Sequence, residues 1–477
     1  MKRTSKILKS ILKYIGLVLL LLIAAVLVSI PISRFSSKSP ITTGEKLEKM
    51  AIRNVHVVPM DSNYVRNNQT LLIENGKITK IQSDSLIIPS DFKILEGNGK
   101  YVVPGLKDMH AHIFDRTDLS LYLSYGVTTV RNMMGFPMHL RWRKEVASHE
   151  FVGSTMVTAS PTINMGDDTG GPFHKVVEDS AQASEAVKKY YERGYDFIKI
   201  YDGLNEDGFA GVMAEANKLN MDVAGHPPYH VSLDHILNSK IVSIEHVEEV
   251  FQGLLHFKYN DSIAHNLARS LKAHNTVITV TLSAYYNLYR TVVDKDAFLS
   301  GIPTEYITPM IRLIGEKQLE GWKTTSKESY DWTVKKYVVM ERLVSILREE
   351  GVTFLLGTDT GPNLTVPGLT LHDEMQLLSG LGLSNYEILV SGTREAARVL
   401  HQEGDKGILT EGVKADFLLV NNNPLEDLNT LRAPEGIFTN GRMYSHKDLQ
   451  DLKAFSRDHH ASYYITLGRF LEQVFTK

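Results

Sequence analysis

The sequence predicts an α/β protein: a (β/α)8 TIM barrel with a small composite β-sandwich built from both ends of the chain, preceded by an N-terminal transmembrane helix. Three observations carry that prediction. The chain opens on a charge-free apolar run; short alternating strands bracket it at residues 49–101 and 401–446; and eight short apolar strands alternate with helical stretches across residues 102–400. Strand–helix alternation is the pattern of a parallel sheet covered by helices, and a strand-rich piece too small to bury its own core has to meet a second one.

The first element is the apolar run, twenty uncharged residues from Tyr14 to Ser33. A helix needs about 20 apolar residues to cross the bilayer hydrocarbon. Lys2, Arg3, Lys6, Lys9 and Lys13 precede the run, so the positive-inside rule keeps residues 1–13 cytoplasmic. The remainder of the chain then lies outside a cell membrane that this helix crosses once, in the periplasm if the host is Gram-negative. A cleaved signal peptide is the competing reading, but the run exceeds a usual apolar signal core and no clear small-x-small site follows it. Residues 34–48, with their Ser, Lys and Thr, read as a linker.

Next come the strands of the sandwich, at Ile52 to Val57, Leu71 to Ile73 and Ile78 to Ile81. Asn75-Gly76 joins the last two, and Asn440-Gly441 joins Ile437–Thr439 to Met443–Tyr444 near the other end. Asn-Gly between apolar runs is a strong hairpin signal. The barrel strands are read as Val102 to His112, Val127 to Arg131, Thr155 to Ala159, Phe197 to Tyr201, Asp222 to His226, Ile241 to His246, Val277 to Thr281 and Val352 to Asp359. The connection from Ser283 to Glu350 is long for a crossover and has room for extra helices over the site. Residues 447–477 carry Leu449, Leu452, Phe455, Phe470, Leu471 and Val474 at helical spacing and form a helical tail.

Composition narrows the chemistry. With 52 Lys+Arg against 55 Asp+Glu the net charge is −3, which offers no basic surface for nucleic acid. The absence of Cys excludes disulfides, Fe–S clusters, thiolate zinc sites and a cysteine nucleophile. A metal would have to sit on His, carboxylate or Lys. No phosphate-binding Gly-x-x-x-x-Gly-Lys-Ser/Thr loop and no Gly-x-Gly-x-x-Gly after a strand is present.

The residues that carry chemistry stand where barrel strands end, the face on which such folds keep their catalytic groups. His110 and His112 close the first strand, and residues two apart in a strand share a face. Lys199 lies in the apolar strand Asp-Phe-Ile-Lys-Ile-Tyr, where an unpaired ammonium is costly to bury. His226, His246 and Asp359 close strands five, six and eight. Taken singly, each has an ordinary structural reading as a solvated lysine, a core histidine or a helix cap. Six such positions, at the expected ends of strands one, four, five, six and eight and in the expected order, are hard to obtain from packing alone.

Together with Gly-Val-Thr-Thr-Val-Arg-Asn-Met-Met-Gly at 126–135 and the closing segments 371–400 and 407–428, this constellation resembles the amidohydrolase superfamily, in its imidazolonepropionase-like and Xaa-Pro-dipeptidase-like group, over residues 51–444. The resemblance implies a membrane-anchored hydrolase that opens a C–N bond of a small-molecule or dipeptide substrate. It implies two divalent metal ions, zinc by default, with His110, His112 and Asp359 on one, His226 and His246 on the other, and Lys199 bridging both as a carbamate formed with CO2. Asp359 would double as general base and then general acid. A carbamate is anionic, which also answers the burial of Lys199.

Substrate contacts depart from the family pattern, because Pro227-Pro228-Tyr229-His230 stiffens the loop after His226. Tyr229 and His230 are candidates for a substrate carboxylate, Tyr201 for a hydrogen bond to a developing oxyanion, and His174 for a loop over the site that includes Gly170-Gly171-Pro172. Each is equally readable as an ordinary loop residue. The alternatives are a mononuclear deaminase or an imidazolonepropionase-type cyclic-amide hydrolase, against which Lys199 argues, and a catalytically inactive binding protein, against which the complete ligand set argues. A homo-oligomer is compatible with the sequence.

Overall fold

The computed structural model describes residues 2–35, 38–83, 85–166, 170 and 173–476. Both ends of the chain meet in one eight-stranded sheet, in the order Glu45–Lys46, Arg442–Ser445, Gly436–Thr439, Phe417–Val420, Lys93–Pro104, Lys49–Val57, Arg66–Glu74, Lys77–Ser83. Its two Asn-Gly hairpins have positive φ at all four turn residues, 50° and 74° at Asn75 and Gly76, 49° and 73° at Asn440 and Gly441. Those are the angles a two-residue turn needs to match the twist of its strands. Ile78 and Ile81 from one edge and Phe438 from near the other share a single apolar cluster with Ile52, Leu71 and Phe417, so the sheet folds over its own face.

The middle of the chain forms two parallel sheets. One has Leu106–Ala111, Val127–Asn132 and Thr155–Thr158; the other runs His174–Val176, Thr162–Asn164, Phe197–Ile200, Asp222–Gly225, Ser243–Glu245, Val277–Thr279, Thr353–Leu355. Single parallel bridges, Ala159 to Phe197 and Ala111 to Thr360, link them. The Met109 amide donates to the Leu356 carbonyl at 2.9 Å, so the strand carrying the His-x-His pair lies beside the one leading to Asp359.

The strand read as Val102 to His112 is in fact two. Lys93–Pro104 pairs antiparallel with Phe417–Val420, and Leu106–Ala111 pairs parallel with Val127–Asn132. Pro104 has no N–H to continue a ladder, and the Gly105 amide donates to the Asp416 carbonyl at 3.0 Å, handing the chain from one sheet to the other. Thr162–Asn164 and His174–Val176 were not anticipated: three residues are too few to show a period of two.

The long connection folds mainly as helices, Leu282–Asp294, Asp296–Leu299, Pro309–Lys323 and Lys327–Glu349. The tail forms His446–Asp458 and Tyr463–Thr476. The N-terminal helix, Lys2–Phe35, continues two residues into the expected linker, whose Ser36 and Ser37 lie outside the described residues. Its segment Leu12–Phe35, 24 residues containing an 18-residue stretch of mean hydropathy 3.0, is long and apolar enough to cross a membrane, a character a signal sequence shares.

Candidate active site

The His-x-His strand and the segment after Thr353–Leu355 are locked together by buried Asp108. Its Oδ2 accepts from Thr358 Oγ1 at 2.6 Å and its Oδ1 from the His110 amide at 3.1 Å and the Thr358 amide at 3.2 Å. That clamp sets His110 and Asp359 side by side. His110 Nε2 lies 3.3 Å and His112 Nε2 2.9 Å from the same atom, Asp359 Oδ1. Three ligand-type groups thus converge, with their candidate atoms within 4.8 Å of one another.

Against this trio stand the other strand-end residues. The His246 ring centroid is 4.4 Å from that of His110 and 4.8 Å from that of His226, and Tyr201 covers His226 at 4.1 Å. Lys199 is buried and lines the same cavity. His246, Thr281 and Asp359 have φ of 70°, 53° and 53°, left-handed angles that cost about 1–3 kcal/mol each for residues with a Cβ and that concentrate at functional sites.

Behind the imidazoles runs a second layer of polar groups. Glu245 Oε2 meets His110 Nδ1 at 2.8 Å, while its Oε1 accepts from Arg131 Nη2 at 2.7 Å. Arg131 is itself buried and also donates to the Met109 carbonyl at 2.6 Å and to Ser243 Oγ at 2.9 Å. His246 Nδ1 pairs with Thr281 Oγ1 at 2.7 Å, and His226 Nδ1 lies 3.3 Å from Glu249 Oε1. Glu245 and Thr281 each take one ring nitrogen, of His110 and His246, and leave the other for the cavity, the way ligating histidines are oriented, whereas His226 Nδ1 makes no hydrogen bond among the described residues.

Burial lowers the basicity of His112 and holds His226 and His246 well below the usual imidazole range, so all three are neutral and able to offer a lone pair near pH 7. Burial also brings the Lys199 ammonium down to about 8, against the pull of Glu245 and Asp359. Asp359 goes the other way: burial opposes its charge, but the hydrogen bonds to His110 and His112 outweigh that and hold it well below the usual carboxylate range. Neutral imidazoles and an ionised carboxylate aimed at a common point fit a divalent cation of the zinc type, and two further imidazoles beside a buried, weakly basic lysine fit a second.

These groups floor a cavity of about 620 Å³. Tyr201, Tyr229 and His174 also line it, whereas His230 does not: it is exposed, with its backbone bridged to Asn205. The two prolines that precede Tyr229 turn the chain so that the tyrosine enters the cavity and the next residue leaves it. Gly170 is described next to His174, but Gly171 and Pro172 of the expected loop lie outside the described residues. Sequence reasoning missed Glu245, Arg131, Asp108 and Glu249. The signal was available for the first two: opposite charges inside strands otherwise apolar, Ser-Ile-Glu-His and Val-Thr-Thr-Val-Arg, have to find each other.

The model of the Amidohydrolase family matches residues 101–444. Among solved structures, a Xaa-Pro dipeptidase with methionine bound in its active site superimposes with a TM-score of 0.66 at 20% identity, over 83% of this chain and 100% of that one. A bottromycin amidohydrolase gives 0.71 at 21% identity, over 91% and 93%. At that identity the likeness establishes the fold. A 5'-deoxyadenosine deaminase of Methanococcus aeolicus is 25% identical over 240 residues, 43% of this chain and 54% of its own length. The chain thus spans about half the length of that curated relative.

Proposed function

Because the chain belongs to the amidohydrolase family, we propose that it hydrolyses a carbon–nitrogen bond of a small-molecule or dipeptide substrate, at a pair of divalent ions held in a (β/α)8 barrel that the first helix anchors to a membrane. The observation that carries this reading is the convergence of His110 Nε2 and His112 Nε2 on Asp359 Oδ1, beside His246 and in one cavity with Lys199. The two bridges between the parallel sheets support a closed barrel. The apolar N-terminal helix supports the anchor, with residues 102–400 as the catalytic domain on the extracytoplasmic side and the composite sheet beside it.

His110, His112 and Asp359 would hold one ion, and His226 and His246 the other. Bound zinc ions supply Lewis acidity and lower the pKa of water to near neutrality. Lys199 would supply an anionic oxygen ligand as a carbamate, in which its neutral amine is joined to CO2 with loss of a proton. A pKa of about 8 leaves far more free amine near neutral pH than an ordinary lysine offers. The product is anionic and removes the cost of a buried ammonium.

Asp359, ionised and facing both imidazoles, takes the proton of the attacking water and delivers it to the leaving nitrogen. Tyr201 stays protonated because burial pushes its phenol up, so its hydroxyl can donate to the oxyanion that forms on the substrate carbonyl. Tyr229 donates to Glu249 Oε1 at 3.3 Å, and Glu249 Oε2 has no partner among the described residues, free to accept a substrate N–H. The His174 ring lies tilted against Tyr201, ring centroids 4.9 Å apart, and lines that side of the cavity.

Xaa-Pro dipeptides and N-acyl amino acids offered to the zinc-loaded chain test this. Amide cleavage that falls about 10²–10⁴-fold in Asp359→Asn, with little change in substrate binding, is the expected result. The similarity to 5'-deoxyadenosine deaminase favours one second reading, a deaminase. Ammonia release from 5'-deoxyadenosine with no amide cleavage would put that reading in its place.

A further inference from the structure

The wall of the cavity opposite the histidines is apolar, and two helices build it. Met310, Ile311 and Ile314 come from Pro309–Lys323, and Phe470 comes from Tyr463–Thr476. Phe470 meets Phe173, Phe136 and Phe114 edge-on, with centroids 5.4, 6.0 and 6.3 Å away. Ile314 lines the cavity and is still 50% exposed, so it stands at the mouth, next to Leu313, which is 41% exposed.

The same last helix is fastened to the N-terminal helix. Tyr464 Oη donates to the Ala25 carbonyl at 2.6 Å, and Arg34 meets Glu472 at 2.8 Å. Between them Ser29 and Ser33 are buried, and a Cβ on Gly468 would lie 2.3 Å from the Ser29 carbonyl oxygen. Small residues four apart are what lets two helix backbones approach this closely. The contacts run 25 to 464 and 34 to 472, so the helices lie parallel. Crossing the hydrocarbon takes about 20 residues, the length of the uncharged run Tyr14–Ser33, so the later half of the first helix falls in the outer leaflet. Its last turns, Ala25 to Phe35, are those the final helix covers. On its outer side that helix presents Tyr463, Leu467, Val474 and Phe475, from 38% to 65% exposed. This apolar stripe continues the surface of the apolar N-terminal helix.

We propose that this stripe rests in the outer leaflet and that the substrate is an N-acyl amide drawn from the bilayer, its acyl chain lying between the helices 309–323 and 463–476 with its carbonyl over the site of His110 and Asp359. The inference rests on the hydrolase reading for its chemistry. Water adds across the C–N bond: the acyl carbon gains the hydroxyl, the nitrogen gains the proton, and a fatty acid and a free amine leave. Phe470 links the two sides, because one helix forms both the cavity wall and the membrane-facing stripe.

The test uses the full, zinc-loaded chain in phosphatidylcholine vesicles, with N-acetyl-, N-octanoyl- and N-palmitoylglycine as probes and both hydrolysis and equilibrium binding as readouts. The expected result is kcat/KM rising at least tenfold from acetyl to palmitoyl. The double variant Leu467→Glu, Val474→Glu should lose at least tenfold on the palmitoyl probe and stay within twofold on the acetyl one, which also shows that it is folded. Equal turnover of all three probes, or equal losses on both in the variant, would overturn the inference and leave the hydrolase reading standing. No hydrolysis of any probe, with tight binding of the palmitoyl probe alone that the double variant loses, would uphold the bilayer-fed cavity and remove the hydrolase reading. No chain-length preference in either readout would overturn the inference.

Discussion

Glu245 shows how one side chain ties the framework to the site. It is buried with no exposure, and it joins His110 to Arg131 across three strands. Its carboxylate stays ionised because, against burial, Arg131 and His110 hold it well below the usual range. Glu245→Gln keeps the shape but removes the charge, so it should weaken zinc binding about 10–100-fold. It should also cost about 3–5 kcal/mol of stability, since Arg131 is left as an uncompensated buried charge. Metal titration and denaturant melts of the variant check both. Lys107, fully buried away from the histidines, gives a pH signature. Burial brings it from 10.5 to about 8, only partly opposed by Asp416. Between those values the unfolded chain binds the extra proton, so stability rises with pH across that window, by about 3 kcal/mol. Lys107→Met should be more stable than the parent below pH 8 and should lack that part of the rise, as read by denaturant melts from pH 7 to 10.

Among the elements, the final helix has the most to explain, because it packs at once on the first helix and on the cavity. Gly468→Val would force a side chain against the Ser29 carbonyl, where a Cβ has 2.3 Å. Overpacking of this kind costs about 1–3 kcal/mol. The expected outcome is a lower melting temperature for the full chain in detergent, and almost none of that loss in a chain beginning at Lys38, which lacks the partner helix. The sequence disclosed that a helix was there, through Phe470, Leu471 and Val474 at helical spacing, but not that the buried Phe470 would reach the site. Periodicity reports which face is apolar, not what that face meets. The same limit explains the strand read as Val102 to His112. Its apolar run is continuous across Gly105, and only pairing partners distant in sequence, Phe417–Val420 and Val127–Asn132, divide it. The Asn-Gly hairpins were legible because their geometry is local.

For the molecule as a whole, the strand-end residues were readable from spacing alone: a strand's period of two and the order of strands around a parallel sheet bring His110, His112 and Asp359 together. Behind them, the buried charges of Glu245 and Arg131 each signal the need for a partner, but which partner each finds, and the part played by Asp108, depends on contacts between strands far apart in sequence. His230 shows the opposite error, a loop residue whose direction depends on a turn that spacing does not reveal. The central claim is that these strand ends form one binuclear centre with Lys199 at its middle. Lys199→Ala should remove the bridge, leaving at most one ion and almost no hydrolysis in a chain that still folds. The most direct measurement is elemental analysis of the full-length protein purified without chelator, with zinc and bicarbonate present, beside the Lys199→Ala variant. Two metal ions per chain, falling to one or none in the variant, is the predicted result; one or none in the unaltered protein, or two retained by the variant, would contradict the account.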